Sequence, residues 1–447
     1  MKDVTFSNKQ LIRLIWPLLL EQIFSLAVGL ADSIMVAQVG DAAVSGVSLV
    51  DSISVLMVYI FSAMAAGGAA VCGMYIGRNN KDDSNSACQH LILLLVALSA
   101  VLTLLLYVFR VPIVHTLFGK IDTDVMQATN TYYTIVMASI PAIALYNGGA
   151  AVFRSMERTG TTLIVSSIMN VINIAGNAIL IFGFGCGVEG VAIPTLVSRW
   201  VAAIIIIALL FRKKYTLNLT SLRKFRYRKA ILKNIVSIGL PGGIENGMFQ
   251  LGKIVLFSFI STMGTASITA NAIGGTLASF NVLPGMAINL AMTTVVSQCI
   301  GAGNYDKARY YYKKLVLWTY VLLLVWVAID LVSLRFILSV YNVSPEATEL
   351  AFVVQMLHGI STAVLWVPAF MTPNFLKSTG DAMYTMIISI LSMWIGRVGG
   401  AYLLGGVFGL GVIGVWIAHT IIDWIVRSTF FNIRYFRGTW MKKGLKY

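Results

Sequence analysis

Charged side chains are scarce in this 447-residue chain, because Asp, Glu, Lys and Arg together make up only 11% of it. A soluble globular protein carries about 25% of these residues, so the scarcity argues against a soluble domain. Hydrophobic residues make up 58% of the chain. This composition predicts a membrane protein whose chain crosses the bilayer many times.

Cysteine and histidine are also rare, with four of each. The cysteines stand singly at Cys72, Cys88, Cys186 and Cys299, and no Cys-x-x-Cys pair occurs. The histidines are scattered, and none of them is spaced to hold haem or zinc. We therefore expect no firm metal centre, no disulfide framework and no cofactor.

Acidic residues are outnumbered by basic ones, 18 to 33, which gives a formal net charge of +15. In a soluble protein this charge would suggest binding to nucleic acid. Here the basic residues lie mainly in the connections between apolar runs, as the positive-inside rule describes for membrane proteins. The expected partner is therefore the lipid bilayer, and no nucleic acid is expected.

Twelve segments contain the roughly 20 mostly apolar residues that a spanning helix needs. They cover residues 11–37, 44–76, 88–109, 128–153, 161–183, 189–211, 234–262, 268–299, 311–334, 349–374, 382–404 and 410–433. If the N-terminus is cytoplasmic, the inner segments, counted together with the first four residues of any helix that follows them, hold 26 Lys and Arg residues, and the outer segments hold 3. This asymmetry predicts a multi-pass protein of the cell membrane with both termini in the cytoplasm.

The second half of the chain repeats the first half at a nearly constant offset in sequence. Glu21 corresponds to Glu245, and Trp200 corresponds to Trp424. Glycines and other residues at the ends of the predicted helices follow the same offset. Because each half has six helices, an even number, both halves enter the membrane from the same side. A pseudo-two-fold axis along the membrane normal is therefore expected to relate them.

The predicted fold is an all-α integral membrane protein with twelve transmembrane helices in two six-helix lobes. The N-terminal lobe is expected to cover residues 1–211, and a basic cytoplasmic linker residues 212–233. The C-terminal lobe, with its short basic tail, is expected to cover residues 234–447. Parallel repeats of this kind occur in secondary transporters, whose substrate site lies between the halves.

Several motifs carry a family resemblance. They are WP in the first helix, VGLADSIMVAQVG at its end, FRSMERTG after the fourth helix, MNVINIAGNAILIFGFG in the fifth, SQCIGAGNYDKARYYYKK after the eighth and FLKSTGD after the tenth. In this order, the motifs make nearly the whole chain resemble the multidrug and toxic compound extrusion (MATE) transporters. The resemblance implies a transporter and not an enzyme. It further implies export of organic, often cationic, compounds in exchange for H⁺ or Na⁺.

The same resemblance implies an ion-coupling site. Asp32 stands where the family keeps a carboxylate in the first helix, and Asn173 and Thr195 match an asparagine and a threonine of its cation site. These three residues are the candidate ligands for Na⁺. Asn177 stands where many members carry an aspartate, and this loss of one acid favours H⁺ over Na⁺. The alternative is that Asp32 reaches water at the outer interface.

Two glutamates lie in the most apolar surroundings. Glu21 and Glu245 are about ten residues into their predicted helices, which places them about 15 Å deep, near the bilayer midplane. A charge there costs at least about 2.5 kcal/mol, so we predict that both glutamates, with Gln250, line the substrate cleft and attract cationic compounds. Two alternatives remain open. Each glutamate could pair with a cation, or it could cap a carbonyl freed by the proline four residues earlier.

Two other functions compete with the antiporter. A lipid-linked saccharide flippase of the same superfamily often needs more basic charge in its cavity, whereas only four Lys and Arg lie deeper than the first four residues of the predicted helices. An intramembrane transferase would need clustered histidines or a large outer loop, and the chain has neither. The expected partners of the antiporter are small organic substrates, and the protein is expected to be a monomer.

Overall fold

Every regular element in the described part of the protein is a helix. The computed structural model describes residues 5–118, 122–220, 222 and 225–443. Twelve helical stretches within these ranges follow the twelve predicted segments in order. The prediction of an all-α membrane protein is confirmed.

Six of these stretches, numbered as spans, come from the first half of the chain. They are span 1, Asn8–Ala37; span 2, Asp41–Gly77; span 3, Lys81–Val108; span 4, Thr123–Met137 with Ile140–Ser155; span 5, Thr159–Gly183; and span 6, Glu189–Leu210. A short helix, Arg110–Phe118, follows span 3. Span 5 ends in a π-helical turn, Ile179–Gly183.

The second half contributes the other six spans. They are span 7, Lys229–Ser261; span 8, Thr265–Asn281 with Leu283–Gly301; span 9, Tyr305–Val340; span 10, Pro345–Ser378; span 11, Ala382–Val407; and span 12, Gly411–Phe436. Spans 10 to 12 are interrupted by π-helical turns at Thr362–Trp366, Ser392–Gly399, Tyr402–Val407 and Ala418–Ile422. Such turns disturb the regular helix and are frequent at functional sites.

Spans 4 and 8 each break just before a proline, which cannot donate a hydrogen bond to the preceding turn. The two helices of span 4 meet at 44°. At this break Trp200 Nε1 donates to the carbonyl of Ala138 at 3.1 Å. At the break in span 8, Trp326 Nε1 donates to the carbonyl of Phe280 at 3.0 Å. In both halves a tryptophan therefore satisfies backbone that the break leaves exposed.

Length and hydropathy support the membrane assignment. In the described part of the chain, ten helices are long and apolar enough to cross a membrane, and eleven if the bent span 4 is included. Span 7 falls short of this standard because Glu245, Gln250 and Lys253 interrupt its apolar run. Those polar residues make span 7 a place to look for function, since polar groups within a membrane are costly.

The chain divides into two compact units. The first unit is Ser7–Gly243, and the second is Ile244–Tyr447 with Met1–Phe6. The division falls within span 7, whereas the sequence places the C-terminal lobe from residue 234 onward. The predicted lobe and linker boundaries stay a prediction.

Within the first unit, span 2 packs against spans 1, 3 and 4, and span 5 packs against spans 1 and 6. Span 2 also meets the start of span 7 at a pair of glycines. A Cβ added to Gly67 would lie 2.5 Å from the backbone nitrogen of Gly239. Only glycine allows this approach, because a side chain at either position would force the two backbones apart.

Within the second unit, the second helix of span 8 packs against spans 9 and 10, and the first helix of span 8 packs against span 10. A cluster of buried apolar side chains joins spans 7, 11 and 12, with Met393 and Trp416 among its members. The π-helical turns of spans 11 and 12 pack against one another beside this cluster. The polar residues of span 7 described below therefore lie on a well-packed apolar support.

Candidate functional site

The first unit brings Asp32 against the amide side chains of span 5. Asn177 Nδ2 donates to Asp32 Oδ1 at 2.8 Å. With its amide oriented to satisfy both neighbours, Asn173 donates to Asp32 Oδ1 at 2.9 Å and to Oδ2 at 3.1 Å. The Asn173 oxygen then accepts from Thr195 Oγ1 at 3.2 Å. The four residues predicted for ion coupling thus form one connected group.

Helical spacing explains how span 5 supplies two amides to one carboxylate. Asn173 and Asn177 are four residues apart, so they occupy the same helix face one turn above the other. Both amides are buried, with 6% and 0% of their surfaces exposed, whereas Asp32 is half-buried. The site therefore has buried ligands on one side and an accessible carboxylate on the other.

The neighbourhood of Asp32 contains one more acid and one arginine. Asp51 of span 2 accepts a hydrogen bond from Tyr132 at 3.1 Å, and Arg199 of span 6 donates to Ser139 at 2.8 Å. Asp51 and Arg199 both act electrostatically on Asp32. No Lys or Arg in the described part of the chain forms an ion pair with Asp32, so its charge is not cancelled by direct contact.

Glu21 is held by the ends of two other spans. Thr162, near the start of span 5, donates to it at 3.0 Å, and Tyr146 donates at 3.4 Å. Arg154, in the last turn of span 4, lies 3.9 Å away. Glu21 therefore contacts the last turn of span 4 and the first turn of span 5, and its depth near the bilayer midplane stays a prediction.

Glu245 has an equivalent arrangement in the second unit, with stronger contacts. Lys377 Nζ, in the last turn of span 10, lies 2.7 Å from its carboxylate, and Arg427 Nη2 lies 3.8 Å from it. Glu245 is 5% exposed and Arg427 is 3% exposed. Pairing with a cation was one of the alternatives left open by the sequence, and both glutamates are paired in this way.

Gln250 is half-buried on span 7, and its side-chain amide makes no hydrogen bond with the residues that the structure describes. Glu21 belongs to the first unit, and Glu245 and Gln250 belong to the second. A substrate cleft shared by these three residues therefore stays a prediction.

Sequence reasoning missed another buried acid that is held by two amides, Asp330 of span 9. Asn281 donates to Asp330 Oδ2 at 3.1 Å, and Gln355 donates to the same oxygen at 2.7 Å. Asp330 is 2% exposed. An isolated acid in a membrane span suggests a functional site. Its two amide partners come from other spans, however, and the sequence does not indicate that they meet this acid.

In the described residues, no group of three or more His, Cys, Asp or Glu side chains could hold a metal ion. The amide, hydroxyl and single carboxylate oxygens around Asp32 are instead the ligand types that suit a hard monovalent cation or a proton. The group around Asp32 is therefore a candidate cation-coupling site.

Comparison with known proteins identifies the family. The MatE family model matches residues 17–179 and again residues 241–403. The chain belongs to the MatE family. The second match starts and ends at the positions that the offset between Glu21 and Glu245 predicts, so the internal repeat predicted from the sequence is confirmed. Members of the MatE family are transporters, and the prediction that the protein is not an enzyme is confirmed as well.

Two curated relatives extend over almost the whole MatE chain. The Bacillus subtilis "Uncharacterized transporter YisQ" is 26% identical over 452 residues, covering 99% of this chain and 96% of the relative. The Thermotoga maritima "Probable multidrug resistance protein NorM" is 25% identical over 458 residues, covering 99% and 95%.

A crystal structure of a MATE transporter in complex with MaL6 has the same fold. It superposes with a TM-score of 0.90 at 22% sequence identity, covering 97% of each chain. At this identity the similarity shows the fold alone. Together with the family match, it confirms a multi-pass membrane transporter of MatE architecture.

Proposed function

We propose that this MatE protein is a secondary active antiporter that exports organic compounds in exchange for H⁺ or Na⁺. The names of its NorM relatives support multidrug efflux. The observation that carries the coupling proposal is the half-buried Asp32, which is held by two amides and has no paired cation among the described residues. Transport needs no cofactor beyond the coupling ion.

Asp32 is suited to bind and release a cation because its surroundings can stabilise both its charged, empty state and its state with a bound cation. The amide nitrogens of Asn173 and Asn177 stabilise the carboxylate when it is charged. When a cation arrives, the accessible side of Asp32 receives it. In an alternating-access cycle, filling or emptying this site would determine which side of the membrane the transporter faces.

The amide orientations bear on the identity of the ion. Asn177 presents an N–H group to Asp32, whereas ligation of Na⁺ by Asn177 would require its oxygen to turn toward the ion. Protonation of Asp32 needs a smaller rearrangement. We therefore propose H⁺ as the coupling ion, with Na⁺ at Asp32, Asn173 and Thr195 as the alternative.

Proteoliposome transport tests the function and the ion together. Export of a panel of organic dyes should follow an imposed pH gradient at constant Na⁺ concentration and should ignore a Na⁺ gradient at constant pH. Asn177→Asp restores a second carboxylate and should make transport responsive to Na⁺. Transport that follows neither gradient would refute antiport, and wild-type transport driven by Na⁺ alone would reverse the choice of ion.

The orientation of the protein is proposed from the 26 to 3 distribution of basic residues. Cysteines placed at the exposed positions Lys213 and Lys442 should resist a membrane-impermeant thiol reagent in intact cells, while one at Asp122 should react. The background needs only Cys186→Ser, because the other three natural cysteines are buried. Labelling at Lys213 in sealed cells would place the linker outside.

The charge of the substrate is a separate question. The proposal that substrates are cationic depends on Glu21 and Glu245 being free to attract them, and each of these carboxylates has a basic partner.

We also propose that the protein acts in the cell membrane as a monomer, with its transport sites within one chain. The rival lipid-linked saccharide flippase is distinguished by its substrate, which carries a prenyl chain and a diphosphate.

A further inference from the structure

The second unit has an open cavity of about 580 Å³, a size that suits a drug-sized molecule. Lys253 and Arg397 line it, together with the neutral polar side chains of Asn271, Ser279 and Asn289. Among the described residues that line this cavity, none is Asp or Glu. Its charged groups are therefore all basic.

The two cations in the cavity are available to a ligand. Arg397 is 9% exposed, and its Nε has no hydrogen-bond partner among the described residues. Lys253 is exposed, and its ammonium group makes no hydrogen bond or ion pair within the described part of the chain. Lys253 and Arg397 line the same cavity, so an anion bound there would offset the repulsion between their like charges.

The nearby acids do not neutralise this pair. Asp423 is fully buried outside the cavity lining, where it accepts a hydrogen bond from Ser392, although it also attracts Arg397. Glu245 is already paired with Lys377 and with Arg427. Among the described residues that line the cavity, the two charged side chains, Lys253 and Arg397, are therefore both basic.

Aromatic rings form the walls. Trp366 stacks on Phe370 with centroids 5.2 Å apart and planes at 21°. Phe249 packs 5.9 Å from the guanidinium of Arg397 and 5.2 Å from that of Arg427. The π-helical turns of spans 10 and 11 place Trp366 and Arg397 on this lining. Such walls favour a planar aromatic ligand.

The repeat shows that the cavity occupies the place of the cation site. Under the offset that relates the two family matches, Leu256 replaces Asp32, Arg397 replaces Asn173 and His419 replaces Thr195; these three replacements all line the cavity. The second half has thus lost the acid and gained a guanidinium. Equivalent positions that favour a cation in one half favour an anion in the other.

We propose that this cavity binds an aromatic organic anion, with its acid group between Arg397 and Lys253 and its rings against the aromatic walls. The proposal rests on the proposed export function and names its substrate class. It differs from the cationic substrate predicted from the sequence, because the glutamate of this unit is neutralised while the cations of its cavity are not.

Three matched ligands test the proposal by equilibrium binding to the full chain in lipid nanodiscs. They are 2-naphthoate, 2-naphthylmethanol and 2-naphthylmethylammonium, which share one ring system and differ in charge. Calorimetric titration should show the anion binding at least tenfold more tightly than the other two. Lys253→Gln, a change at an exposed position that the fold tolerates, should weaken the anion about 10- to 100-fold and leave the neutral ligand unchanged.

Arg397→Gln should have the same effect, and Arg397→Lys should retain part of the preference. Arg335→Gln is the matched control, because Arg335 lies outside the cavity lining and contacts Phe352. Equal binding of the three ligands, tighter binding of the cation, or an anion preference that survives in both glutamine variants would overturn the proposal. Binding of farnesyl phosphate without binding of 2-naphthoate would also overturn it and indicate a lipid phosphate.

The binding assay contains no ion gradient, so its outcome is independent of antiport. Loss of the anion preference together with intact gradient-driven export of dyes would refute the cavity proposal alone. Anion binding that is intact in a protein without gradient-driven export would refute the antiport proposal alone.

Discussion

Replacing Asp32 with asparagine is expected to abolish gradient-driven export while leaving a folded protein in the membrane. The new side chain has nearly the same shape, and its oxygen can still accept the hydrogen bond from Asn177. What it loses is the charge that we propose binds the coupling ion. One charge moving through 100 mV supplies about 2.3 kcal/mol, which corresponds to a concentration ratio of about 50-fold.

Export from proteoliposomes under an imposed gradient measures this effect, and exchange of labelled for unlabelled substrate without a gradient checks that the carrier still cycles. Asp330→Asn is the informative comparison, because Asp330 is also held by two amides but is almost completely buried. It should keep gradient-driven export. If only the Asp330 variant loses coupling, the ion site lies in the second unit, and full export by Asp32→Asn would leave Asp32 as an interfacial acid.

Replacing Glu245 with glutamine is expected to destabilise the protein strongly. The substitution leaves Lys377 and the buried Arg427 without their carboxylate, and removing one member of a buried ion pair costs about 3–5 kcal/mol. Glu21→Gln should cost less, because Arg154 lies 3.9 Å from Glu21 whereas Lys377 lies 2.7 Å from Glu245. Denaturant unfolding in a defined detergent measures both free energies of unfolding.

The exposed Glu349→Gln is the control for loss of a negative charge alone. The double substitution Glu245→Gln with Lys377→Gln should recover part of the lost stability, because it removes one unpaired cation. The substrate role predicted from the sequence gives another result. It requires Glu245→Gln to unfold like the wild type and to lose affinity for cationic compounds more than for neutral ones.

The positions of the helices could be predicted from the sequence because the length of an apolar run is a local property. The error at their ends also has a local cause. Span 1 was predicted from residue 11 and begins at Asn8, where Ser7 and Gln10 form a reciprocal capping box. These capping residues are polar, so a prediction from hydropathy starts the helix after them.

The contact of Asp32 with Asn173 and Asn177 could be predicted because the family pattern groups these residues, and four-residue spacing on span 5 puts two amides on one face; their role in ion coupling stays a proposal. The basic partners of Glu21 and Glu245 could not be predicted. Arg154 and Lys377 mark the ends of apolar runs and were assigned to loops, whereas the structure places them in the last turns of spans 4 and 10. Which cation meets which acid depends on tertiary packing between residues far apart in sequence.

The cavity was missed for a related reason. Lys253 and Arg397 are 144 positions apart in the chain, and each alone is an isolated charge in a span. The offset between the two halves contained a signal that the sequence reading did not use, since Arg397 falls on the position of Asn173. Comparing the chemistry of paired positions, and not only their identity, would have found it.

The two candidate sites each lie wholly within one unit, and this has a consequence for evolution. After duplication of a six-helix ancestor, one copy could keep the acid that we propose couples export to the ion gradient, while the other copy was free to change its ligand. Substitutions in the aromatic cavity would then change which compounds are exported, without changing the residues proposed to couple export to the ion gradient. We expect natural variation in drug range among close relatives to concentrate in spans 7, 11 and 12.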